Sequence, residues 1–389
     1  MRLLAIRTTT VRGQVKVRKN DTGYIRTLDG WRAIAVWAVI FHHSRVSSLG
    51  SFDLGPIRDF CDHGVQLFFA ISGLLICSRL LEERALNGRI SLKGFYVRRV
   101  FRIQPAAIVY LLVLGTLGLT GIIPQSALAW VSSLLCFRNL HAAANWPMLP
   151  GDRYTVHYWS LAVEEHFYLF LPMLLLLARN KVVSALGILS TLFFFWAPFA
   201  DHFGLAESPL SAWRTDISLR YLIFAAFLAA LIARPRQRIW FTRLTAYGIP
   251  IVVVVSGILV SQRFLHGHGT NELCCVGFPL MVLSTMLHPQ GWLGRLLETW
   301  LFSFLGRISY SLYLWQMLFF VHRSEPSVIR YAQDAPWNLL VVMICAISSY
   351  YFIEKPLIRF GHRLAPPATP GCADLSNRTN GSAIHQCAS

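Results

Sequence analysis

The sequence contains few charged residues, and acidic residues are the scarcest among them. Charged side chains account for 14% of the 389 residues, whereas a soluble domain usually has about 25%. Hydrophobic residues make up 54% of the chain, and they fall into runs long enough to cross a bilayer. No soluble core needs that much unbroken apolar sequence. The composition therefore predicts a membrane protein and excludes a set of soluble domains.

The sequence also lacks a cysteine framework and a cleavable signal peptide. Its eight cysteines include no CxxC pair, so we expect neither a metal site nor a disulfide scaffold. Residues 1–27 carry seven basic side chains without a sustained apolar run, which predicts a basic cytoplasmic tail. Residues 365–389 are rich in Pro, Ser, Asn and Gly, and we expect a disordered cytoplasmic tail there.

The excess of basic residues has two interpretations. A net charge of +17 is typical of proteins that bind nucleic acid as well as of membrane proteins. The basic residues of this chain lie in short clusters between apolar runs, where the positive-inside rule places them. We therefore expect the chain to contact the lipid bilayer and not nucleic acid.

Ten apolar runs have the length of a transmembrane helix, which is roughly 17–25 residues. They cover residues 30–46, 63–81, 103–121, 159–178, 182–200, 217–233, 245–262, 272–288, 301–321 and 337–353. A shorter apolar run at 127–140 predicts a re-entrant or interfacial helix.

The loops between these runs alternate in charge. Basic residues concentrate between the second and third runs, between the sixth and seventh, and after the tenth, while the opposite loops are mixed. This alternation predicts that both termini are cytoplasmic. The sequence therefore predicts an all-α, polytopic transmembrane helical bundle of about ten spans over residues 28–360.

Ionisable residues inside the predicted spans are the candidates for function, because each is costly in a bilayer. Arg32 and His43 are eleven residues apart in the first span. On a helix this spacing places them within about 20° of one face and about 16 Å apart along the axis, while His42 points roughly 80° away. A snorkelling Arg with two interfacial His residues is the alternative interpretation.

Two adjacent acids lie one to two turns inside the fourth span. Glu164 and Glu165 follow an outer aromatic pair, Tyr158 and Trp159, and they point about 100° apart on a helix. We take the outer ends of spans one and four to lie at the same level, where Glu164 would orient His43 as a general base. A structural ion pair is the alternative for either acid.

Arg99 and Arg102 are three residues apart at the start of the third span. They share one helix face on the cytoplasmic side of the predicted topology, where ordinary positive-inside charges also lie. Two guanidinium forks on one face also suit a phosphate-bearing cytosolic ligand. The residues alone leave both interpretations open.

Six segments of the chain together resemble the integral-membrane acyltransferase-3 family. They are, in chain order, LDGWRAIAVWAVIFHHS, GVQLFFAISGLLI, FYVRRVFRIQPA, WSLAVEEHFY, LGRISYSLYLWQ and FIEKPL. Each motif is weak alone, but their shared order over residues 25 to 360 is specific. This family includes enzymes that O-acetylate lipopolysaccharide, exopolysaccharide, peptidoglycan, Nod factors and macrolide antibiotics.

The resemblance implies a role for the residues singled out above. The R-x10-H motif of the family is matched by Arg32 and His43, and it implies that His43 is catalytic. The RxxR motif is matched by Arg99 and Arg102, and it implies an acyl-CoA site. The WSLxxE motif is matched by Trp159, Ser160, Leu161 and Glu164, and Glu165 lies beside it as a supporting residue.

The resemblance thus implies a multi-pass enzyme of the bacterial inner membrane. It would move an acyl group, acetyl by default, from acyl-CoA to a hydroxyl of a cell-surface polysaccharide, lipopolysaccharide or oligosaccharide, with no bound cofactor. His43 would act as general base or be transiently acylated, and Arg32 would support the donor or the helix packing. A transporter or flippase for a glycolipid or small anion is the alternative, although the sequence shows no inverted repeat.

The chain departs from many relatives at two glutamines. Gln66 stands where many relatives have an acid, and Gln316 stands where many have a His. We expect both changes to affect contacts with the acceptor. Some relatives also carry an extracytoplasmic SGNH hydrolase-like domain that is not in this sequence, so we expect this chain to act alone or with a separate extracytoplasmic partner.

Overall fold

The described chain is almost entirely α-helical, which confirms the predicted all-α class. The computed structural model describes residues 24–366, apart from positions 45, 47, 50–51, 146, 206–207, 209, 265–268 and 321–328. Most of the two predicted tails therefore lies outside the described residues. One antiparallel pair of two-residue strands, β1 (Ser48–Leu49) and β2 (Phe52–Asp53), follows the first helix.

Nine α-helices form the first half of the described chain. They are α1 (Thr27–Ser44), α2 (Gly55–Cys61), α3 (Gly64–Asn87), α4 (Leu92–Leu119), α5 (Ala127–Leu134), α6 (Arg138–Ala144), α7 (Tyr158–Ala178), α8 (Val182–His202) and α9 (Thr215–Ile232). Short 3₁₀ turns occupy Pro150–Thr155, Arg179–Lys181 and Ser211–Trp213.

Nine further α-helices form the second half. They are α10 (Pro235–Leu244), α11 (Ile249–Phe264), α12 (Thr270–Leu287), α13 (Trp292–Leu297), α14 (Trp300–Arg307), α15 (Ser309–Phe320), α16 (Arg330–Gln333), α17 (Trp337–Ser349) and α18 (Lys355–Leu364). A 3₁₀ turn at Ala246–Gly248 precedes α11, and a π-helical turn at Tyr350–Glu354 joins α17 to α18.

Each of the ten apolar runs falls on a helix or on a broken pair of helices. Six helical segments in the described part of the chain are long and apolar enough to cross a membrane: Gly55–Asn87, Leu92–Leu119, Tyr158–His202, Thr215–Ile232, Thr270–Leu287 and Trp337–Leu364. The fourth and fifth runs share one of these segments. The remaining three runs fall on α1, which carries several ionisable residues, on the 16-residue α11, and on α14 and α15, which are separated at Ile308. The count of ten spans and the orientation of the termini stay predictions.

Helix α1 is held tightly by its neighbours, since it packs against α3, α14 and α15. Glycines allow the backbones to approach closely. A Cβ added at Gly64 would lie 2.7 Å from the carbonyl oxygen of Ala35, and one added at Gly306 would overlap the carbonyl of Asp29. Close approach at small residues is typical of helix packing in membranes. It leaves α1 little freedom to slide, so its polar side chains keep a fixed height in the bundle.

Short elements between α4 and α7 determine where α7 begins. The apolar run at 127–140 forms α5 and the start of α6 and not a spanning helix. Arg138 in α6 is fully buried, and it donates hydrogen bonds to Thr155 (3.2 Å) and to the carbonyl of Asp152 (2.9 Å). Because Thr155 lies three residues before the first residue of α7, these bonds connect the start of α7 to the short helices.

The predicted orientation can be tested by cysteine labelling in a background without the eight native cysteines. Ser48 in β1 and Asn87 at the end of α3 are both exposed, and α3 lies between them along the chain. If both termini are cytoplasmic, Ser48→Cys should react with a membrane-impermeant maleimide in intact cells. Asn87→Cys should react only after permeabilisation. Labelling of Asn87→Cys but not Ser48→Cys in intact cells would show the reverse orientation.

Candidate active site

The polar side chains of the site lie at two heights along α1, and the first of these polar levels is near the start of that helix. Arg32 forms a salt bridge of 2.9 Å with Asp29, one turn earlier on the same helix. Asp29 is buried, and it also accepts a hydrogen bond from the hydroxyl of Tyr24. Arg32 is thus anchored to its own helix inside the protein.

Two further guanidiniums project from α4 toward this level. The guanidinium carbon of Arg99 lies 5.8 Å from the ring centroid of Phe95 and 5.3 Å from that of Tyr168. Arg102 is exposed, and it interacts electrostatically with Arg32. Among the residues that the structure describes, neither Arg99 nor Arg102 forms a salt bridge or donates a hydrogen bond. Both therefore have free donors for an anionic ligand.

The acids at this level already accept hydrogen bonds. Glu164 accepts from the hydroxyl of Ser72 at 2.8 Å and from that of Tyr168 at 2.9 Å. Glu354, in the FIEKPL segment, is buried and accepts from the hydroxyl of Ser311. Both acids interact electrostatically with Arg102. Their charges offset those of Arg32, Arg99 and Arg102, but neither acid accepts a hydrogen bond from Arg99 or Arg102.

The predicted pairing of Glu164 with His43 is wrong. The two Glu164 oxygens bond to Ser72 and Tyr168, and the residue of this segment that lies near His43 is His157. Glu164 follows His157 by seven residues, which places it about 10 Å further along α7. The prediction took the outer ends of the two spans as level. In the structure the residue before α7 is level with the end of α1, and Glu164 lies deeper, near the arginines.

The second polar level lies near the end of α1 and consists of His43 and the side chains around it. His43 is half-buried in the last turn of α1, and its Nδ1 is buried without a hydrogen-bond partner among the described residues. The amide of Gln316, from α15, lies beside the imidazole. His157 and the exposed Asp62 also lie close enough to interact with His43 electrostatically. An imidazole with an uncommitted nitrogen is suited to move a proton.

His42 adjoins His43 but has other partners. Its ring packs edge-on against that of His43 with centroids 5.3 Å apart. Its Nδ1 lies 3.1 Å from the carbonyl oxygen of Arg58, and its Nε2 lies 3.6 Å from Asp62. The nitrogens of His42 are thus engaged by α2 and the residue that follows it.

The three predicted supporting residues hold α7 in place. Ser160 shares a 2.7 Å hydrogen bond with the hydroxyl of Tyr313 in α15, and Glu165 accepts a 3.2 Å hydrogen bond from Gln104 in α4. Trp159 is stacked on Trp213, with centroids 5.3 Å apart and an interplanar angle of 5°. Each contact joins α7 to a different part of the bundle.

Two residues of the site were missed by sequence reasoning. His157 is buried among the rings of Tyr110, Tyr158 and Tyr313, and neither of its nitrogens has a partner among the described residues. Gln316 is fully buried and was interpreted only as a departure from relatives. The signal for His157 was its place two residues before the WSL motif. The sequence carried no signal that Gln316 meets His43.

The chemistry available is divided between the two levels. One level offers guanidinium donors, which suit a phosphate or carboxylate group. The other offers an imidazole with polar neighbours, which suits proton transfer or nucleophilic attack. Arg32 and His43 belong to one helix, so the two levels are about 16 Å apart along its axis. A ligand that used both would have to be long.

Comparisons with known proteins agree with this chemistry. A family model described as an acyltransferase domain matches residues 25–354. A Staphylococcus aureus (strain COL) protein named "Putative O-acetyltransferase" is 31% identical over 369 residues, which cover 87% of this chain and 58% of that protein. The "O-acetyltransferase OatA" of Staphylococcus aureus (strain NCTC 8325 / PS 47) is 26% identical over 367 residues, with the same shares. No solved structure matches the chain.

The chain thus spans 58% of the length of the curated relatives it matches. The transporter alternative is not favoured, because the matching family and the relatives are acyltransferases. The family match covers most of the described chain, including both polar levels of the site, and on this ground the chain belongs to the acyltransferase-3 family.

Proposed function

We propose that the chain is a membrane-bound O-acyltransferase that uses acyl-CoA, in the first instance acetyl-CoA, as donor and a carbohydrate hydroxyl as acceptor. The acceptor would belong to a cell-surface polysaccharide, lipopolysaccharide or oligosaccharide, and the enzyme would lie in a bacterial inner membrane. The names of the relatives support O-acetyl transfer. The two free guanidiniums of the site support the choice of donor, and the choice of acceptor follows from the resemblance to the family.

The observation that carries the donor assignment is the pair of uncommitted guanidiniums. The partly buried Arg99 and the exposed Arg102 offer free donors near Arg32, and an anion bound there would relieve the repulsion among the three cations. Coenzyme A has phosphates for such donors at one end and a thioester at the end of a long arm. Phosphates at the arginine level would let that arm extend along α1 toward His43. The predicted topology brings this ligand in from the cytoplasm.

The reaction at His43 is an acyl transfer without net proton release. His43 takes the proton of the acceptor hydroxyl as that oxygen attacks the thioester carbonyl. The carbon–sulfur bond then breaks, and the imidazolium returns the proton to the departing thiolate. The acceptor approaches from the end of α1 at which Asp62 and His42 are exposed or half-buried, opposite to the entry of the donor.

The donor assignment predicts a loss of acyl-CoA affinity on removal of both guanidiniums. Hydrogen bonds to a charged group contribute about 1.5–3 kcal/mol each, so Arg99→Ala with Arg102→Ala should weaken acetyl-CoA binding by at least about tenfold. Replacement of both by Lys should recover part of the affinity, because Lys cannot present a planar fork. Isothermal titration of the purified full chain in lipid nanodiscs measures this.

A neighbouring arginine is the matched control for this prediction. Arg98 forms a 3.2 Å salt bridge with Glu83 and donates to the carbonyl of Ala365, so its role is within the fold. Arg98→Ala should lower thermal stability and leave acetyl-CoA affinity unchanged. Equal acetyl-CoA affinity in the Arg99/Arg102 double variant and the wild type would show that these two residues do not bind the donor.

The assignment of His43 predicts that His43→Ala lowers acyl transfer by about 10²- to 10⁴-fold at unchanged protein abundance. The assay is release of free thiol from acetyl-CoA by membrane vesicles that carry the full chain. His42→Ala is the control, since His42 is engaged by Arg58 and Asp62, and its effect should be much milder. Wild-type rates in His43→Ala would contradict the assignment. Equal losses in both variants would contradict the distinction between the two faces.

A further inference from the structure

Gln316 is a buried polar side chain without a visible structural role. It is fully buried in α15, and neither its amide oxygen nor its amide nitrogen has a hydrogen-bond partner among the described residues. Every other residue of α15 from Leu312 to Phe320 is hydrophobic and buried. A buried amide without partners destabilises the fold. Its presence therefore calls for an explanation other than stability.

A second unpartnered polar atom lies beside it. Nδ1 of His43 is buried without a partner, and the Gln316 amide is the polar group from α15 that adjoins this imidazole. A hydrogen bond from Nδ1–H to the amide oxygen would give both of these atoms a partner. The close packing of α15 against α1 keeps the two within reach of each other.

The backbone carbonyl of Val39, one turn earlier on α1, also lies beside the imidazole. The other polar side chains near His43 are less suited to this role than Gln316. His42, on the same helix, is engaged by the Arg58 carbonyl, and Asp62, after α2, is exposed and 3.6 Å from His42. His157, before α7, is enclosed by aromatic rings and forms no hydrogen bond to His43. Glu164, which the sequence assigns to this task, is bonded elsewhere.

We propose that Gln316 is the positioning residue of His43: its amide oxygen accepts the Nδ1–H of the imidazole and leaves the Nε2 lone pair free as the base. In acyl-transfer sites the base is usually held in the required orientation by a hydrogen bond to another side chain. A neutral amide fixes the tautomer without introducing a charge into the apolar bundle. This inference rests on the proposed function, since it requires His43 to be the base.

Two substitutions of similar shape test the proposal. Gln316→Met keeps the size of the side chain but removes the acceptor, so kcat for thiol release from acetyl-CoA should fall about 10- to 100-fold with KM for acetyl-CoA unchanged. Gln316→Glu keeps an acceptor oxygen at the same distance and should retain more activity than Gln316→Met. Thermal stability should follow the opposite order, because a buried carboxylate is more costly than a thioether.

Gln333 provides the matched control. This buried glutamine donates a 2.9 Å hydrogen bond to the carbonyl of Leu318, also in α15. Gln333→Met should lower thermal stability without lowering kcat. A purely structural role for Gln316 would instead make activity follow stability in all three variants, with Gln316→Met at least as active as Gln316→Glu, and that result would overturn the proposal.

A double-mutant cycle separates this inference from the proposed function. If Gln316 acts through His43, adding Gln316→Met to His43→Ala should cause no further loss of rate. A full additional loss in the double variant would overturn the positioning role while His43 stays the base. Wild-type rates in His43→Ala alone would overturn the proposed function, and the positioning role with it.

Discussion

A polar side chain inside an apolar helical bundle needs a hydrogen-bonding or ionic partner, because no water is there to replace one. Most polar groups of this chain meet that requirement: Arg32 pairs with Asp29, and Glu164 is bonded twice. Among the described residues, the exceptions include Nδ1 of His43 and the amide of Gln316, and further unpartnered atoms lie at Gln66, Asn139, His157 and Trp315. The guanidiniums of Arg99 and Arg102 also have no salt-bridge or hydrogen-bond partner there. Such uncommitted groups are where a ligand gains most by binding.

Helix α1 sets the distance between the two polar levels of the site. It carries Arg32 in its second turn and His43 in its last, about 16 Å apart along the axis, and close glycine contacts with its neighbours keep it from sliding. A compact substrate cannot reach both levels at once. A donor with charged groups at one end and a reactive thioester at the end of a long arm can, and its product can leave on the opposite side from the donor.

Features that follow from local periodicity, such as the positions of the helices, can be predicted from the sequence. Features that depend on tertiary packing, such as the depth of a helix in the bundle, cannot. The apolar runs predict the positions of the helices, and the helical spacing predicts that His42 and His43 project in different directions. The depth of α7 was not predictable, because it is set by α5, α6 and the buried Arg138, whose contacts are distant in sequence. For that reason Glu164 was assigned to His43 when it lies near the arginines. Gln316 was missed for the same reason, since helical spacing within α15 says nothing about α1.

In the proposed mechanism one donor molecule spans both levels. Cryo-electron microscopy of the full chain in nanodiscs can test this with a non-hydrolysable acetyl-CoA analogue in which a methylene group replaces the thioester sulfur. Phosphate density is expected against Arg99 and Arg102, together with a carbonyl carbon about 3–3.5 Å from the position of an attacking oxygen held by His43. Phosphate density away from α4, or a carbonyl carbon beside Glu164 with His43 remote from the ligand, would contradict it.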